Sequence, residues 1–214
     1  MQSVFFDLDG TLTDPKPGIT RCIQHALSAL DSPVPSEDEL TWCIGPPLLA
    51  SFMQLLGDEA LAQRAIGHYR ERFADVGLFE NSVYAGIAQL LASLHGEQRD
   101  LYVATSKPTI YAERIVAHFG LSQFFIRVFG SELGGERTDK TELLRYALAQ
   151  SAARVAGCVM IGDRSHDVIG AKNNGIRAFG VLYGYGDSEE LRAAGADELA
   201  ADPGSLQALL VMEG

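Results

Sequence analysis

The sequence has few cysteines, no long apolar run and a deficit of basic residues, and each absence excludes a class of protein. Three cysteines among 214 residues, Cys22, Cys43 and Cys158, show no paired spacing. This favours reduced thiols in a cytoplasmic protein over a disulfide framework. No run of 18 apolar residues occurs, so we expect no transmembrane span. No basic segment precedes an apolar one at the start, so we expect no secretory signal.

The charge balance is strongly acidic. Lys and Arg number 17 against 28 Asp and Glu, which gives a formal net charge of −11. Binding to a nucleic-acid backbone needs a basic face, so we expect no nucleic-acid partner, and we expect no membrane partner. A small phosphorylated ligand is still allowed, because local cations or a metal ion can dominate one pocket.

What the sequence does contain is an alternation of short apolar runs with helical patterns. The runs are rich in β-branched and aromatic residues and lie at 4–6, 101–104, 124–129, 159–161 and 178–182. This order predicts an α/β fold with a doubly wound parallel sheet, a Rossmann-like core buried on both faces. A hydrophobic content of 47% is enough to cover such a core.

The chain between the first two strands is too long for a single crossover helix. Residues 15–76 have a helical pattern throughout, with Asp14 as the expected N-cap of the first helix and Ser36 with Glu39 as a capping box. We therefore predict a small helical cap domain at 15–79, inserted after the first strand. Residues 1–14 and 80–214 form the predicted core, with a crossover helix at 84–94 that ends at Gly96.

Polar side chains follow the predicted strands at their carboxyl ends. They are Asp7, Asp9, Thr105, Ser106, Lys140, Asp163 and Asp167. Ligands of open parallel sheets bind at this edge, so we expect these residues to converge on one pocket.

The residue types suggest phosphoryl chemistry. Several carboxylates at one point repel each other, and Mg²⁺ with its oxygen ligands relieves that repulsion. A carboxylate can attack phosphorus to form an aspartyl-phosphate, while Lys140 and the Thr105 hydroxyl stabilise the phosphoryl oxygens. A second carboxylate two residues on can donate a proton to the leaving oxygen and later activate water.

Four segments resemble, in order, the four motifs of the haloacid dehalogenase superfamily. They are Asp-Leu-Asp-Gly-Thr-Leu-Thr-Asp at 7–14, Ala-Thr-Ser-Lys-Pro at 104–108, Lys140, and Ile-Gly-Asp-Arg-Ser-His-Asp at 161–167. The helical insertion between the first two motifs resembles the cap of the phosphoglycolate phosphatase-like branch.

The resemblance implies a role for each catalytic position. Asp7 is the implied nucleophile and Asp9 the general acid and base. Thr105 binds the phosphoryl group with the Ser106 backbone nearby, and Lys140 neutralises both the nucleophile and the phosphoryl group.

The resemblance also implies a Mg²⁺ site. Asp7, the backbone carbonyl of Asp9 and Asp163 are the implied ligands, and Asp167 orients the metal shell as a direct or water-mediated partner. The aspartate at position 9 favours phosphoryl transfer over carbon–halogen cleavage, because the dehalogenases lack that second carboxylate.

Several of these residues also have structural interpretations. Thr105 can cap the helix that begins near 108, Lys140 can be solvated in a polar loop, and Arg164 can be salt-bridged rather than in contact with substrate. Gly-Pro-Pro at 45–47 is either a helix break or part of a substrate entrance. Asn174 precedes the expected helix-ending glycine at 175 and can support the site.

The sequence thus predicts a phosphoric monoester hydrolase, a Mg²⁺-dependent phosphatase for a small phosphorylated metabolite resembling phosphoglycolate. The alternatives are a 5′-nucleotidase acting on nucleoside monophosphates, which the segments 45–47 and 136–140 also resemble, and a phosphosugar mutase. A non-catalytic regulatory module is disfavoured, since every catalytic position is filled. We expect a cytoplasmic monomer or homodimer.

Overall fold

A computed structural model describes residues 3–151 and 153–211. The chain folds into two compact units, one built from the chain up to Asp14 and from Val83 onward, the other from Pro15–Ser82. The sequence placed the second boundary between 79 and 80. Residues 1, 2, 152 and 212–214 of the predicted core lie outside the described residues. Over the described ranges, no helix combines the length and apolarity needed to cross a bilayer.

The first unit contains a six-stranded parallel sheet. The strands of the chain are β1 Ser3–Phe6, β2 Thr13–Asp14, β3 Ser82–Val83, β4 Asp100–Pro108, β5 Arg127–Ser131, β6 Cys158–Gly162, β7 Arg177–Val181 and β8 Glu198–Ala200. The order in the large sheet is β5-β4-β1-β6-β7-β8, with every pairing parallel. The predicted α/β class with a parallel sheet is confirmed.

The structure differs from the predicted strands at several places. Strand β4 continues to Pro108, whereas the predicted run ends at Ala104. The run at 124–129 begins as a 3₁₀ turn at Ser122–Phe124, and β5 starts only at Arg127. The edge strand β8 was missed, because its three residues carry no apolar run.

The second unit is helical but interrupted. Its α-helices are α1 Lys16–Ala29, α2 Leu48–Leu56 and α3 Glu59–Arg72, followed by a π-helical turn at Phe73–Gly77. The prediction of continuous helix is wrong over 30–40 and 44–47. Prolines at 33, 35, 46 and 47 disfavour helical backbone at the preceding residues, so only a 3₁₀ turn at Thr41–Cys43 forms between these breaks.

Two predicted helix caps also need correction. Asp14 does not cap α1: it lies in β2, and its side chain accepts a hydrogen bond from the Tyr185 hydroxyl. Ser36 and Glu39 do exchange capping-box hydrogen bonds, with the Ser36 N–H donating to Glu39 Oε2 at 2.9 Å, but no α-helix follows. The Gly-Pro-Pro segment ends at Pro47, the N-cap of α2, so it does break the helix.

The helices of the first unit connect its strands. They are α4 Ile87–Gly96, α5 Thr109–His118, α6 Lys140–Gln150, α7 Ser165–Asn173, α8 Ser188–Ala193 and α9 Pro203–Val211. Helix α4 begins three residues later than predicted, after Gly86 with φ +93°. Gly175 follows the C-cap of α7 with φ +69°, as expected of a helix-ending glycine.

Candidate active site

The three central strands set the position of the site. Phe6 at the end of β1 is in register with Val103 of β4 and Ile161 of β6, and the Asp7 N–H donates to the Ile161 carbonyl at 2.9 Å. All four residues of β1 are buried. The carboxylates that follow this strand therefore lie directly at the carboxyl edge of the sheet.

Three buried carboxylates meet at this edge. Asp7, Asp163 and Asp167 each contribute a carboxylate oxygen, and these oxygens lie within 4.8 Å of one another. We call these three residues the acid cluster. Asp167 is thus a direct member of it, and the side chain of Asp9 is not. Asp167 sits in the first turn of α7, where its Oδ2 accepts from the Arg164 N–H at 3.2 Å.

Lys140 is the cation of the acid cluster. Its Nζ lies 3.0 Å from Asp7 Oδ1 and 2.7 Å from Asp167 Oδ1, and it donates to the Ala104 carbonyl at 3.0 Å. Only 5% of the residue is exposed, so the solvated-loop interpretation of this lysine is wrong. Burial lowers the pKa of Lys140, but the charges of Asp167 and Asp7 raise it above its ordinary value. The lysine therefore stays protonated.

Lys140 is held in place through its helix. It is the first residue of α6, whose N-cap Asp139 accepts a hydrogen bond from the Glu142 N–H. The Asn174 side chain donates to the Thr141 carbonyl at 3.0 Å and to the Gly170 carbonyl at 2.8 Å, which ties α6 to α7. Asn174 therefore supports the placement of Lys140 beside Asp167.

Asp9 forms a separate ion pair that the sequence motifs did not predict. Lys107 Nζ lies 2.8 Å from Asp9 Oδ2, and both side chains are largely buried. Burial raises the pKa of Asp9, while attraction to Lys107 opposes that rise. Lys107 belongs to the motif at 104–108 and follows Thr105 by two residues, and this position was the available signal.

Asp163 is enclosed by the chain around it. Its Oδ1 accepts from the Thr11 hydroxyl at 3.3 Å and its Oδ2 from the Tyr185 N–H at 2.8 Å. A Cβ at Gly10 or Gly184 would lie 2.1 Å or 2.4 Å from atoms of the Asp163 side chain, so both positions require glycine. Burial, and then the charges of Asp167 and Asp7, raise the pKa of Asp163 well above its ordinary value.

The loop after β7 is a second part of the site that the motifs did not predict. Besides the Tyr185 contacts, the Tyr183 hydroxyl donates to the Thr11 carbonyl at 3.1 Å, and the Tyr183 ring packs edge-on against Tyr84. The Tyr-Gly-Tyr-Gly stretch at 183–186 follows a predicted strand end, and this position was the signal.

Thr105 and Ser106 lie within β4 rather than after it. Thr105 is buried, and its Oγ1 accepts from the Lys107 N–H at 3.3 Å. It does not cap α5, whose N-cap is Pro108 without a side-chain hydrogen bond. The Ser106 carbonyl accepts from the Ser131 hydroxyl at 2.8 Å. Both residues therefore lie at the sheet edge with Asp7.

Arg164 forms a salt bridge, which is the structural interpretation of this residue. Its Nε pairs with Glu190 Oε1 at 3.0 Å, and the same oxygen accepts from the Ser165 N–H at 2.7 Å and from the Ser165 hydroxyl. This arrangement fastens the start of α7 to α8. Arg164 thus stabilises the helix that carries Asp167.

The acid cluster fits a hard divalent cation. Four carboxylates, those of the cluster and Asp9, face two lysines, Lys107 and Lys140, which leaves an excess of negative charge in a buried place. Carboxylate oxygens are the ligands preferred by Mg²⁺. Asp9 Oδ1 is also buried without a hydrogen-bond partner among the residues that the structure describes.

Known proteins are similar to this chain in sequence and fold. The family model described as haloacid dehalogenase-like hydrolase matches residues 4–181. A 5′-nucleotidase of Pseudomonas aeruginosa is 49% identical over 97% of this chain and 95% of its own length. A phosphoglycolate phosphatase of Vibrio parahaemolyticus is 27% identical over 92% of this chain and 90% of its own.

A tyrosine-protein kinase of Mycobacterium tuberculosis is 42% identical over 88% of this chain, which spans 64% of the kinase's length. The crystal structure of a predicted phosphatase from Clostridium acetobutylicum superposes with a TM-score of 0.95 at 42% identity, covering 99% of this chain and 98% of that one. The predicted enzyme class, phosphoric monoester hydrolase, is confirmed by the phosphatases among these relatives. The chain belongs to the haloacid dehalogenase-like hydrolase family.

Proposed function

We propose that the protein is a Mg²⁺-dependent phosphatase that hydrolyses a small phosphomonoester through an aspartyl-phosphate on Asp7. The observation that carries this proposal is the contact of Lys140 with both Asp7 and Asp167, beside the uncompensated carboxylate of Asp163. A protonated lysine and a cation-binding cluster around one carboxylate make that carboxylate a nucleophile able to approach an anionic phosphate.

In the first half of the reaction, a carboxylate oxygen of Asp7 forms a bond to phosphorus as the ester P–O bond breaks. The leaving oxygen takes a proton from Asp9. Lys140 and the Thr105 hydroxyl stabilise the phosphoryl oxygens. Asp7, Asp163 and Asp167, together with the backbone carbonyl of Asp9, would hold Mg²⁺, which when bound would supply positive charge against the transferring group.

In the second half, the Asp9 carboxylate takes a proton from water as the water oxygen bonds to phosphorus. The bond between phosphorus and Asp7 breaks, inorganic phosphate is released, and both aspartates return to their starting states. Lys140 stays protonated throughout, because two carboxylates surround it.

Two substrate classes are candidates. The helical insertion supports a phosphoglycolate-like substrate, and the phosphatase of Vibrio parahaemolyticus carries that name. The higher identity to the Pseudomonas aeruginosa 5′-nucleotidase supports nucleoside monophosphates as the second candidate. In either case the proposed partner is a small phosphorylated metabolite, met in the cytoplasm by a monomer or homodimer that binds neither nucleic acid nor membrane.

The first test measures phosphate release from p-nitrophenyl phosphate with Mg²⁺ or with EDTA. We expect activity only with the metal, and none for Asp7→Asn. Asp197→Asn is the matched control, since Asp197 pairs with Lys172 away from the acid cluster. Borohydride reduction of quenched enzyme should convert the acyl phosphate on Asp7 to homoserine. Activity of Asp7→Asn, or wild-type activity in EDTA, contradicts the proposal. Rates with 2-phosphoglycolate and nucleoside monophosphates then decide the substrate class.

A further inference from the structure

Strand β4 contains an irregularity beside the site. Its pairing with β5 runs regularly to Thr105 and Gly130, and the next pair is Pro108 with Ser131. Two residues, Ser106 and Lys107, therefore bulge out of the ladder. Bulges bend a strand and change the direction in which a side chain points, and they are frequent next to active sites.

The bulge is fixed by contacts on its β5 side. The Ser131 hydroxyl donates to the Ser106 carbonyl at 2.8 Å, and the Thr109 hydroxyl donates to the Ser131 carbonyl at 3.2 Å. At Gly130 a Cβ would lie 2.6 Å from the Lys107 carbonyl oxygen, so the two backbones touch there. The backbone of Lys107 is therefore held in one place.

This placement brings Lys107 Nζ to 2.8 Å from Asp9 Oδ2. The Lys107 side chain is 7% exposed and that of Asp9 is 11% exposed, so water screens the pair little. Asp9 Oδ1 has no hydrogen-bond partner among the described residues. One oxygen of Asp9 is thus fixed by an ion pair, and the other is available to carry a proton.

We propose that Lys107 is a positioning residue that fixes the orientation of Asp9 for proton transfer to the leaving oxygen. The inference rests on the proposed function. In the first step the leaving oxygen takes the proton from Asp9 Oδ1 while the ester bond breaks, and in the second step the Asp9 carboxylate takes a proton from water. Lys107 gains and loses no proton in either step, so its effect acts only through Asp9.

The test uses leaving groups that differ in their need for a proton. The value of kcat/KM reports steps up to loss of the leaving group, and p-nitrophenolate leaves without protonation whereas an alkoxide does not. For Lys107→Met we expect kcat/KM to fall by about 10²-fold or more with an alkyl phosphate such as glycerol phosphate. With p-nitrophenyl phosphate the fall should be far smaller, and Lys107→Arg should restore most of the alkyl activity.

Three further variants make the test specific. In an Asp9→Asn background, Lys107→Met should cause no additional loss with the alkyl ester, because the two residues act as one unit. Lys172→Met removes another ion-paired lysine of the same unit and should leave the ratio between the two esters unchanged. Gly130→Ala disturbs the bulge while keeping Lys107, and it should move the ratio in the direction of Lys107→Met.

The outcomes separate this proposal from the proposed function. Equal losses of Lys107→Met with both esters, or additive losses with Asp9→Asn, overturn the positioning role while the phosphatase stands. If Lys107→Met does not fold, as judged by circular dichroism, an unchanged ester ratio for Gly130→Ala overturns it instead. If the wild-type enzyme releases phosphate from neither ester, the proposed function itself is overturned.

Discussion

Asp163 carries the negative charge of the acid cluster that Lys140 does not contact, and Asp163→Asn removes this charge with almost no change in shape. Mg²⁺ should therefore reverse the order of stability of the variant and the wild-type protein. Without metal the substitution relieves repulsion and should stabilise the fold. With metal it removes a ligand and should make the variant the less stable of the two.

The size of the metal-free effect follows from the geometry. The carboxylate oxygens of the cluster lie within 4.8 Å of one another. Two unit charges at that distance repel by about 3.5 kcal/mol at an effective dielectric constant of about 20. Lys140 compensates one of the other two charges, so we count one repulsion for Asp163. Asparagine keeps one acceptor for Thr11 or Tyr185 and loses the other, which costs about 1–3 kcal/mol. The free energy of unfolding should therefore rise by about 0.5–2.5 kcal/mol at pH 8.

The metal effect is larger and has the opposite sign. A ligand at 100 times its Kd raises the free energy of unfolding by about 2.7 kcal/mol. The wild-type protein should gain this amount from Mg²⁺, and the variant should gain far less at the same concentration. The measurement is urea unfolding of both proteins at pH 8, once in EDTA and once in saturating Mg²⁺.

Asp197→Asn is the matched control for Asp163→Asn. It makes the same chemical change at a carboxylate 2.6 Å from Lys172, and it should lower stability slightly in both solutions without altering the Mg²⁺ shift. A lower stability of Asp163→Asn than of wild type in EDTA, or equal stabilisation of both proteins by Mg²⁺, contradicts this prediction.

Three other predictions concern the same cluster. Burial raises the pKa of Asp167 from 3.8 to about 6. Between these two pH values the folded protein therefore binds more protons than the unfolded chain. In EDTA the free energy of unfolding should fall by about 3 kcal/mol as the pH rises through this range. Lys140→Met leaves Asp7 and Asp167 without their cation, and should lower the free energy of unfolding by about 3–5 kcal/mol and kcat/KM by about 10²–10³-fold. Gly184→Ala would place a Cβ 2.4 Å from the Asp163 Cβ, and titration calorimetry should show Mg²⁺ affinity reduced by about 10–100-fold.

Each of the three predictions has a control and an outcome that contradicts it. A metal-free protein that grows more stable between pH 4 and 6 contradicts the first, and saturating Mg²⁺ should flatten its pH dependence. Lys172→Met should leave kcat/KM unchanged, and a similar loss there would make the Lys140 effect non-specific. The Cβ of Gly96→Ala meets no atom of the described residues within 4 Å, and this variant should retain full Mg²⁺ affinity. Undiminished Mg²⁺ affinity of Gly184→Ala contradicts the third prediction.

Much of the fold and site was predictable because the signals are local and repeated. Each buried strand of the sheet is a short apolar run, and a parallel sheet brings strand ends to one edge whatever the distance along the chain. Asp7 and Asp163 could therefore be placed together from their positions after 4–6 and 159–161. Lys140 was harder, since nothing in the polar loop before it shows that its side chain is buried.

The missed features depend on tertiary contacts. Lys107 reaches Asp9 only because β4 bulges against β5, and the close approach at Gly130 that supports the bulge has no signature in the sequence of β4. Similarly, Asp14 fits the pattern of a helix cap, but the Tyr185 hydroxyl, far along the chain, uses its carboxylate instead. The break over 30–40 was not predicted, because the apolar spacing on either side favours a helix and only the prolines at 33 and 35 disfavour it.

The register of β1 between β4 and β6 has a consequence for the folding of the chain. Thr11 and Asp163, which share a hydrogen bond, are 152 residues apart, so the acid cluster can assemble only after long chain closures. Repulsion among its carboxylates then opposes one of the last folding steps. A cation that binds only the assembled cluster should therefore slow unfolding without accelerating folding, because its ligands are still apart in the transition state. The charge that equips the enzyme for phosphate chemistry thus also sets how long the folded protein lasts.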